Sequence, residues 1–460
     1  MSTRSATINV QSRSGWERVQ AWLYAGTAHA VVAGMYLVLA SGTLIFWGQS
    51  AGFAPIRFLD EVILFGFLLL TGGMVLATGR LYLAATAGWL LIFSAESLYT
   101  SALNQVSPPI LWRGYLLAVK PLLILLVYQM LPLDRHSAEF ILRGLTRFFG
   151  LITVAAVAYA LIVEFGLGVN PLPGVVSAEI RLGLMPARSF FFHQSHMASF
   201  MTIAAAFYAA QALLTNSRRS LILMATAIAG VIITARLKSL LLLPVILLVQ
   251  YALIRLRQGR VRARTLVTIA LLSLAALIVI ALFSALLWDV IQLRLVDGST
   301  NVRSALLKVA LVINAETHGL GAGLGMFGSP VSVQYHYSPL YYRFGISNMT
   351  GATPTYFSYI TDQWWAWYLG EVGYLGAAIF VSSLVWVLWR LRRLAEAWRE
   401  RNWPMSALCY TALAALLFAI LSGYASVYLT SPPTGYLVMS LGGLAFALDR
   451  GLRYPPPIAP

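Results

Sequence analysis

Apolar runs of about twenty residues follow one another along most of this chain, and they decide its solvent before any motif is weighed. A helix needs ~20 predominantly apolar residues to cross the ~30 Å hydrocarbon core of a bilayer. Runs of that kind sit near 27–48, 58–78, 81–100, 111–132, 147–168, 196–215, 219–237, 239–256, 265–288, 365–389, 405–428 and 433–449. In hydrocarbon each backbone N–H and C=O must find its partner within its own segment, so such runs fold as helices. The reading is an all-α polytopic membrane protein of about twelve transmembrane helices. Residues 27–449 form a single helical domain between cytoplasmic tails at 1–26 and 450–460. The first tail is basic and polar and leads into no short apolar core with a small-residue cleavage site, so it reads as a tail and not as a cleaved signal. Composition agrees: 59% of the 460 residues are hydrophobic and 10% charged, which excludes a water-soluble domain of this length.

The net charge of +16 is a statement about sides of a membrane before it is one about nucleic acid, and no nucleic-acid partner is expected. With the N-terminus inside, the inner loops carry Arg135, Arg143 and Arg147, then Arg218 and Arg219, then the arginine runs at 255–264 and 390–401. Every inner loop obeys the positive-inside rule, so both termini are expected in the cytoplasm. These inner arginines are explained by topology and anionic lipid. Two larger outer loops follow, about 169–195 and 289–364. The remaining basic residues lie outside against the bias: Arg57, Arg113, Lys120, Arg181, Arg188, Arg236, Lys238, Arg294, Arg303, Lys308 and Arg343. Arg236 and Lys238 stand where two apolar runs meet almost without a loop. A cation at that depth is costly and marks a functional site unless it only snorkels to headgroups. The single cysteine, Cys409, lies in an apolar run, which leaves no intramolecular disulfide and no thiolate metal cluster.

In the longer outer loop, Ser299 or Thr300 can cap a helix whose apolar Ala305, Leu306, Val309, Ala310 and Ile313 recur at helical spacing. Arg303 falls in its first turn, where the helix itself prefers an anion, so the arginine there suits an anionic ligand. Gly319, Gly321, Gly323 and Gly325 follow a helix and not a strand; they read as a side-chain-free turn that lets backbone approach a neighbour. Trp364, Trp365, Trp367 and Tyr368 fit an interfacial aromatic belt, with carbohydrate stacking as the alternative. The outer face carries no zinc-protease motif, no nucleophile elbow and no carboxylate cluster at metal-ligand spacing. Its adjacent acids, Asp60 and Glu61, diverge by about 100° on a helix. No metal and no cofactor are expected. Arginines without partner acids suit multiply charged oxyanions such as a diphosphate, because guanidinium forks grip phosphate oxygens bidentately. A lipid diphosphate also accounts for the depth of Arg236.

In order along the chain stand RSFFFHQSHMA from Arg188, TAR at 234–236, NVR at 301–303 with HGLGAGLGMF at 318–327, and DQ followed by YLGEVG within 362–373. This series resembles the O-antigen polymerase and ligase superfamily, the Wzy and WaaL type of bacterial envelope glycosyltransferase, over roughly residues 175 to 380. The resemblance implies a GT-C-like architecture in the bacterial inner membrane with the active site facing the periplasm. It also implies metal-independent transfer of glycan from undecaprenyl diphosphate. Arg188, Arg236 and Arg303 match the family's phosphate-binding arginines, with Arg181 and Arg343 nearby. Where the ligase branch has a histidine this chain has Asp362, as the polymerase branch more often does. The resemblance therefore favours a polysaccharide polymerase joining lipid-linked repeat units, with Asp362 as the catalytic base and His336 second. The alternative is an O-antigen ligase acting on lipid A-core, and a transporter of lipid-linked sugar is the third reading. A polymerase implies a chain-length regulator and a flippase as partners. His193 and His196 look like residues that cap the following span.

Overall fold

The computed structural model describes residues 15–53, 59–79, 85–168, 170, 172, 186–255, 302–427 and 429–453. Among these the chain is helical, with an isolated bridge between Thr353 and Tyr356 and no named strand. The helices are α1 (Gly15–Ser50), α2 (Leu59–Thr78), α3 (Ala85–Leu103), α4 (Pro108–Met130), α5 (Arg135–Tyr159), α6 (Gln194–Thr215), α7 (Arg218–Ile233) and α8 (Leu237–Arg255). Beyond residue 301 come α9 (Val302–Glu316), α10 (Trp364–Trp398), α11 (Trp403–Ser422) and α12 (Thr434–Arg453). Eight helices among the described residues are long and apolar enough to cross a membrane. The protein is an all-α membrane protein. Helices occupy eleven of the twelve apolar runs; the twelfth, 265–288, lies outside the described residues.

Local chemistry sets the helix ends. Asp134 accepts from the Ser137 N–H at 2.8 Å to start α5, and Asn402 does the same for Met405 at 3.1 Å in α11. Pro108 and Pro109 begin α4, where the missing N–H costs no helical bond. Asn216 closes α6 in the left-handed region at φ 54°. A π-helical turn, Ala160–Gly166, extends α5.

Two helices form the centre. The apolar window of α6 is 89% buried within the protein and that of α11 83%, against 22% for α2. Both are alanine-rich, and in lipid, where helices gain little by leaving an apolar solvent, small side chains that admit close packing select the interior positions. The same reasoning places Gly443 of α12 against the backbone of α4: a Cβ there would lie 2.7 Å from that of Tyr128.

Outside the bundle, Val302, Leu306, Ala310 and Ile313 turn one stripe of α9 into a separate small core with Phe327, Tyr341 and Ile360. The helical stripe read from the sequence is present, with Lys308 exposed on the opposite face. The proposed caps Ser299 and Thr300 lie outside the described residues.

Candidate functional site

Arg303 leaves the first turn of α9 and meets Asp362, the last residue of a 3-10 turn (Ile360–Asp362) that leads into α10. One guanidinium nitrogen donates to the carboxylate, and the Arg303 head group stands 5.7 Å from the centre of the Tyr359 ring. Both members reach solvent, the Asp362 side chain at 40% exposure and that of Arg303 at 21%. The residue after Asp362 is Gln363, which is buried and whose amide nitrogen and oxygen find no partner among the described residues. A buried primary amide left that way is uncommon.

The glycine-rich turn is fixed to this site from behind. Gly319, Gly321, Gly323 and Gly325 all have φ between 78° and 91°. Ala322 and Gly323 donate their N–H groups to the carbonyls of Gly370 and Glu371 in α10, at 2.8 and 2.9 Å. In return Tyr374 N–H donates to the Gly319 carbonyl at 2.8 Å, which it can do because Gly373 departs from helical geometry at φ 67°. The Glu371 side chain accepts from the Phe327 N–H at 3.1 Å and from the Trp367 indole at 2.7 Å. A Cβ on Gly321 would lie 2.6 Å from the Glu371 carbonyl oxygen, so the close backbone approach expected of this turn is present. Glu371 was not singled out by its residue type. The signal was a lone carboxylate inside an apolar run, bounded by Gly370 and Gly373.

His336 serves the same turn, its Nε2 bonded to the Gly325 carbonyl at 2.8 Å. A carbonyl can only accept, so Nε2 carries the proton and Nδ1 is the basic nitrogen of the neutral ring. The nearby phenols are no bases: burial pushes Tyr337 up to about 12 and raises Tyr341 as well. Arg343 pairs with Glu316 at 2.8 Å on the exposed side of the outer unit. Arg113 lies 3.9 Å above the Tyr335 ring.

A second basic group occupies the same end of the bundle, where α6 begins and α7 gives way to α8. His193 caps α6, its Nδ1 accepting from the Ser195 N–H at 3.1 Å, as its position in the sequence suggested. Arg236 brings a guanidinium nitrogen to 3.0 Å from His193 Nε2. A neutral imidazole has one acceptor nitrogen, so it serves Ser195 or Arg236 but not both at once. Lys238 bonds the Ser426 hydroxyl in the segment after α11. That segment links the two groups: a Cβ on Gly423 would lie 3.0 Å from the Trp365 indole nitrogen, three residues past Asp362.

Arg188 is buried. Its guanidinium donates to the carbonyls of Phe191, at 3.1 Å, and Leu172, while its own N–H and that of Ser189 donate to the Glu164 carboxylate, each at 3.1 Å. Burial draws its pKa below the usual arginine value, and the Glu164 charge opposes the change. Arg181 lies outside the described residues.

The premise that the outer cations lack partner acids is corrected. Arg303 has Asp362, Arg343 has Glu316, and Lys120 is gripped inside the bundle by Asp60 and, at 3.0 Å, by Glu61. Adjacent acids diverge at their Cα atoms, but Glu61 is half-exposed and long enough to curl back to the ammonium that Asp60 holds directly. Among the described residues no group of three or more His, Cys, Asp or Glu side chains is arranged to hold a metal. Neither the protein-family models nor the curated proteins include a match to this chain.

Proposed function

We propose that this chain is a polysaccharide polymerase of the bacterial inner membrane, joining undecaprenyl-diphosphate-linked repeat units at the periplasmic face. In this reading the bundle has twelve spans, both termini are cytoplasmic, and the segment from α9 to the start of α10 is periplasmic. The observation that carries the proposal is the Arg303–Asp362 pair, a phosphate-binding group and a hydroxyl-orienting group held on each other at one end of a membrane bundle. A partly exposed pair of this kind is worth only ~0–1 kcal/mol. An arriving diphosphate, with more negative charge than one carboxylate and oxygens that fit the guanidinium fork, takes Arg303 from Asp362. The freed carboxylate then accepts a hydrogen bond from the acceptor hydroxyl. As the hydroxyl oxygen bonds to the anomeric carbon, the bond from that carbon to the diphosphate breaks, and the hydroxyl proton passes to Asp362. Arg303, with Arg236 and Lys238 on the same end, offsets the charge that develops on the leaving diphosphate.

The polymerase reading is preferred to ligation because Asp362, and not a histidine, is the residue held on Arg303. A transporter reading draws on one observation, the buried Lys120–Asp60–Glu61 group, since ionisable residues inside a membrane often line a polar route. One assay separates them. Purified protein in nanodiscs, given undecaprenyl-diphosphate repeat units and EDTA, should build polymer, and Asp362→Asn should slow this strongly while still binding donor. Wild-type protein that binds the lipid-linked units and never joins them would overturn the proposal. A reporter fused at Ser332 should read periplasmic and one at Gly259 cytoplasmic; the reverse pattern would invert the site.

A further inference from the structure

At the other end of the bundle a cavity of about 1180 Å³ opens between α1, α5, α6 and α7, with the start of α11 at its rim. Its mouth carries Arg143 and Arg147 of α5 and Arg219 of α7. All three are exposed, and among the described residues none forms an ion pair with a carboxylate. The acid that also lines the mouth, Glu139, is bonded to Arg135 at 3.1 Å. Farther in, the walls turn apolar, with Tyr36, Leu151, Val154 and Leu223. Two polar groups lie along the way. The Tyr208 hydroxyl and the Gln211 amide nitrogen are both buried and both without a partner among the described residues. Leu151 and Val154 are half or more exposed, so this side of the cavity opens toward hydrocarbon.

The dimensions and the polarity gradient identify the occupant's chemistry. From Arg143 to Val154 is eleven residues of helix, ~16 Å at ~1.5 Å per residue. One leaflet's share of the ~30 Å hydrocarbon core is about the same. A site with three cations at the headgroup level, hydrogen-bonding groups just beneath, and an apolar channel one leaflet deep matches an anionic lipid and neither a soluble anion nor an uncharged lipid. An anionic lipid surface attracts each Lys or Arg that stands at headgroup level. We propose that this cavity holds an anionic phospholipid of the adjoining leaflet, one whose headgroup carries net negative charge, with that headgroup on Arg143, Arg147 and Arg219 and one chain running past Tyr208 toward Val154. The occupant is a resident of the surrounding bilayer, independent of whatever reacts at Arg303.

The test uses the intact protein incubated with vesicles of equal phosphatidylglycerol and phosphatidylcholine, followed by native mass spectrometry of the lipid it retains. Wild type should keep phosphatidylglycerol several-fold over phosphatidylcholine. Arg143→Gln/Arg147→Gln/Arg219→Gln should keep the two equally. Val154→Trp, which fills the apolar channel and leaves the arginines in place, should also lose phosphatidylglycerol. Excess inorganic phosphate should fail to displace the lipid from wild type. The proposal is overturned if wild type shows no preference or if the triple variant retains it. Displacement by inorganic phosphate, with Val154→Trp behaving as wild type, would make the site one for a free anion and would overturn it equally.

Discussion

Two basic groups, one at each end of this bundle, hold positive charge differently. At one end Arg303 is held by Asp362, Arg343 by Glu316, Arg236 against His193 and Arg188 by backbone carbonyls, and Lys120 is held by Asp60 and Glu61 deeper in the bundle. At the other, Arg135, Arg392 and Arg453 pair with Glu139, Glu396 and Asp449, but Arg143, Arg147 and Arg219 face an open cavity with no carboxylate on any of them among the described residues. Partners fix a cation's position before a ligand arrives, which favours chemistry that needs orientation. Cations left to solvent suit binding of a mobile headgroup, where position matters less.

The contrast is sharpest at Lys120. Lys120→Met leaves Asp60 buried without its counter-ion, and breaking such a pair costs ~3–5 kcal/mol. Unfolding in detergent should register a loss of that order, while Lys120→Met combined with Asp60→Asn should recover much of it. If the single variant is as stable as wild type, the pair carries no structural load. Next comes Arg303→Ala. Removing one preorganised charge-stabilising group typically slows a reaction by about 10²–10³-fold. Polymer formation should fall by that factor with the protein still in the membrane, and Arg303→Lys should recover little, because a point charge cannot reproduce the fork. Polymer ladders unchanged in Arg303→Ala would reduce this arginine to an anchor for lipid headgroups.

Smaller in effect is Gly321→Ala. Its Cβ would meet the Glu371 carbonyl at 2.6 Å on a residue at φ 78°, so a loss of at least ~1 kcal/mol is expected in the same unfolding measurement. The smallest belongs to the open end. Arg143→Gln/Arg147→Gln/Arg219→Gln breaks no ion pair or hydrogen bond among the described residues and should leave stability within ~0.5 kcal/mol per site. A larger loss would show that these arginines do have protein partners and would erase the difference between the ends.

Much of the fold was legible because it is periodic. Apolar runs set the spans, the stripe from Leu306 to Ile313 set α9, and the alternating glycines announced a turn that another backbone approaches. The His193 cap was equally local. The pairings were not legible, since Arg303 and Asp362 are 59 residues apart, as are Lys120 and Glu61, and no short-range pattern encodes such meetings. Arg188 matched a motif by position, but only tertiary structure could reveal that its guanidinium lies on the carbonyls of Leu172 and Phe191. The cavity beside Arg143 escaped notice for another reason: topology and a general attraction to anionic lipid already accounted for inner-loop arginines, and neither points to a pocket.

The break at Gly373 has a consequence for exchange with solvent. Because α10 gives up its own ladder there, the carbonyls of Gly370 and Glu371 receive N–H groups from Ala322 and Gly323, and Tyr374 donates outward to Gly319. Loop and span thus own a common set of bonds. Peeling the glycine turn away would strand backbone groups of a transmembrane helix, each costing several kcal/mol where water is absent. Deuterium should therefore enter the amides of Ala322, Gly323 and Tyr374 at one slow rate, that of the helix core, although two of the three belong to a loop. The platform bearing Arg303 is tied to α10 through the backbone of both.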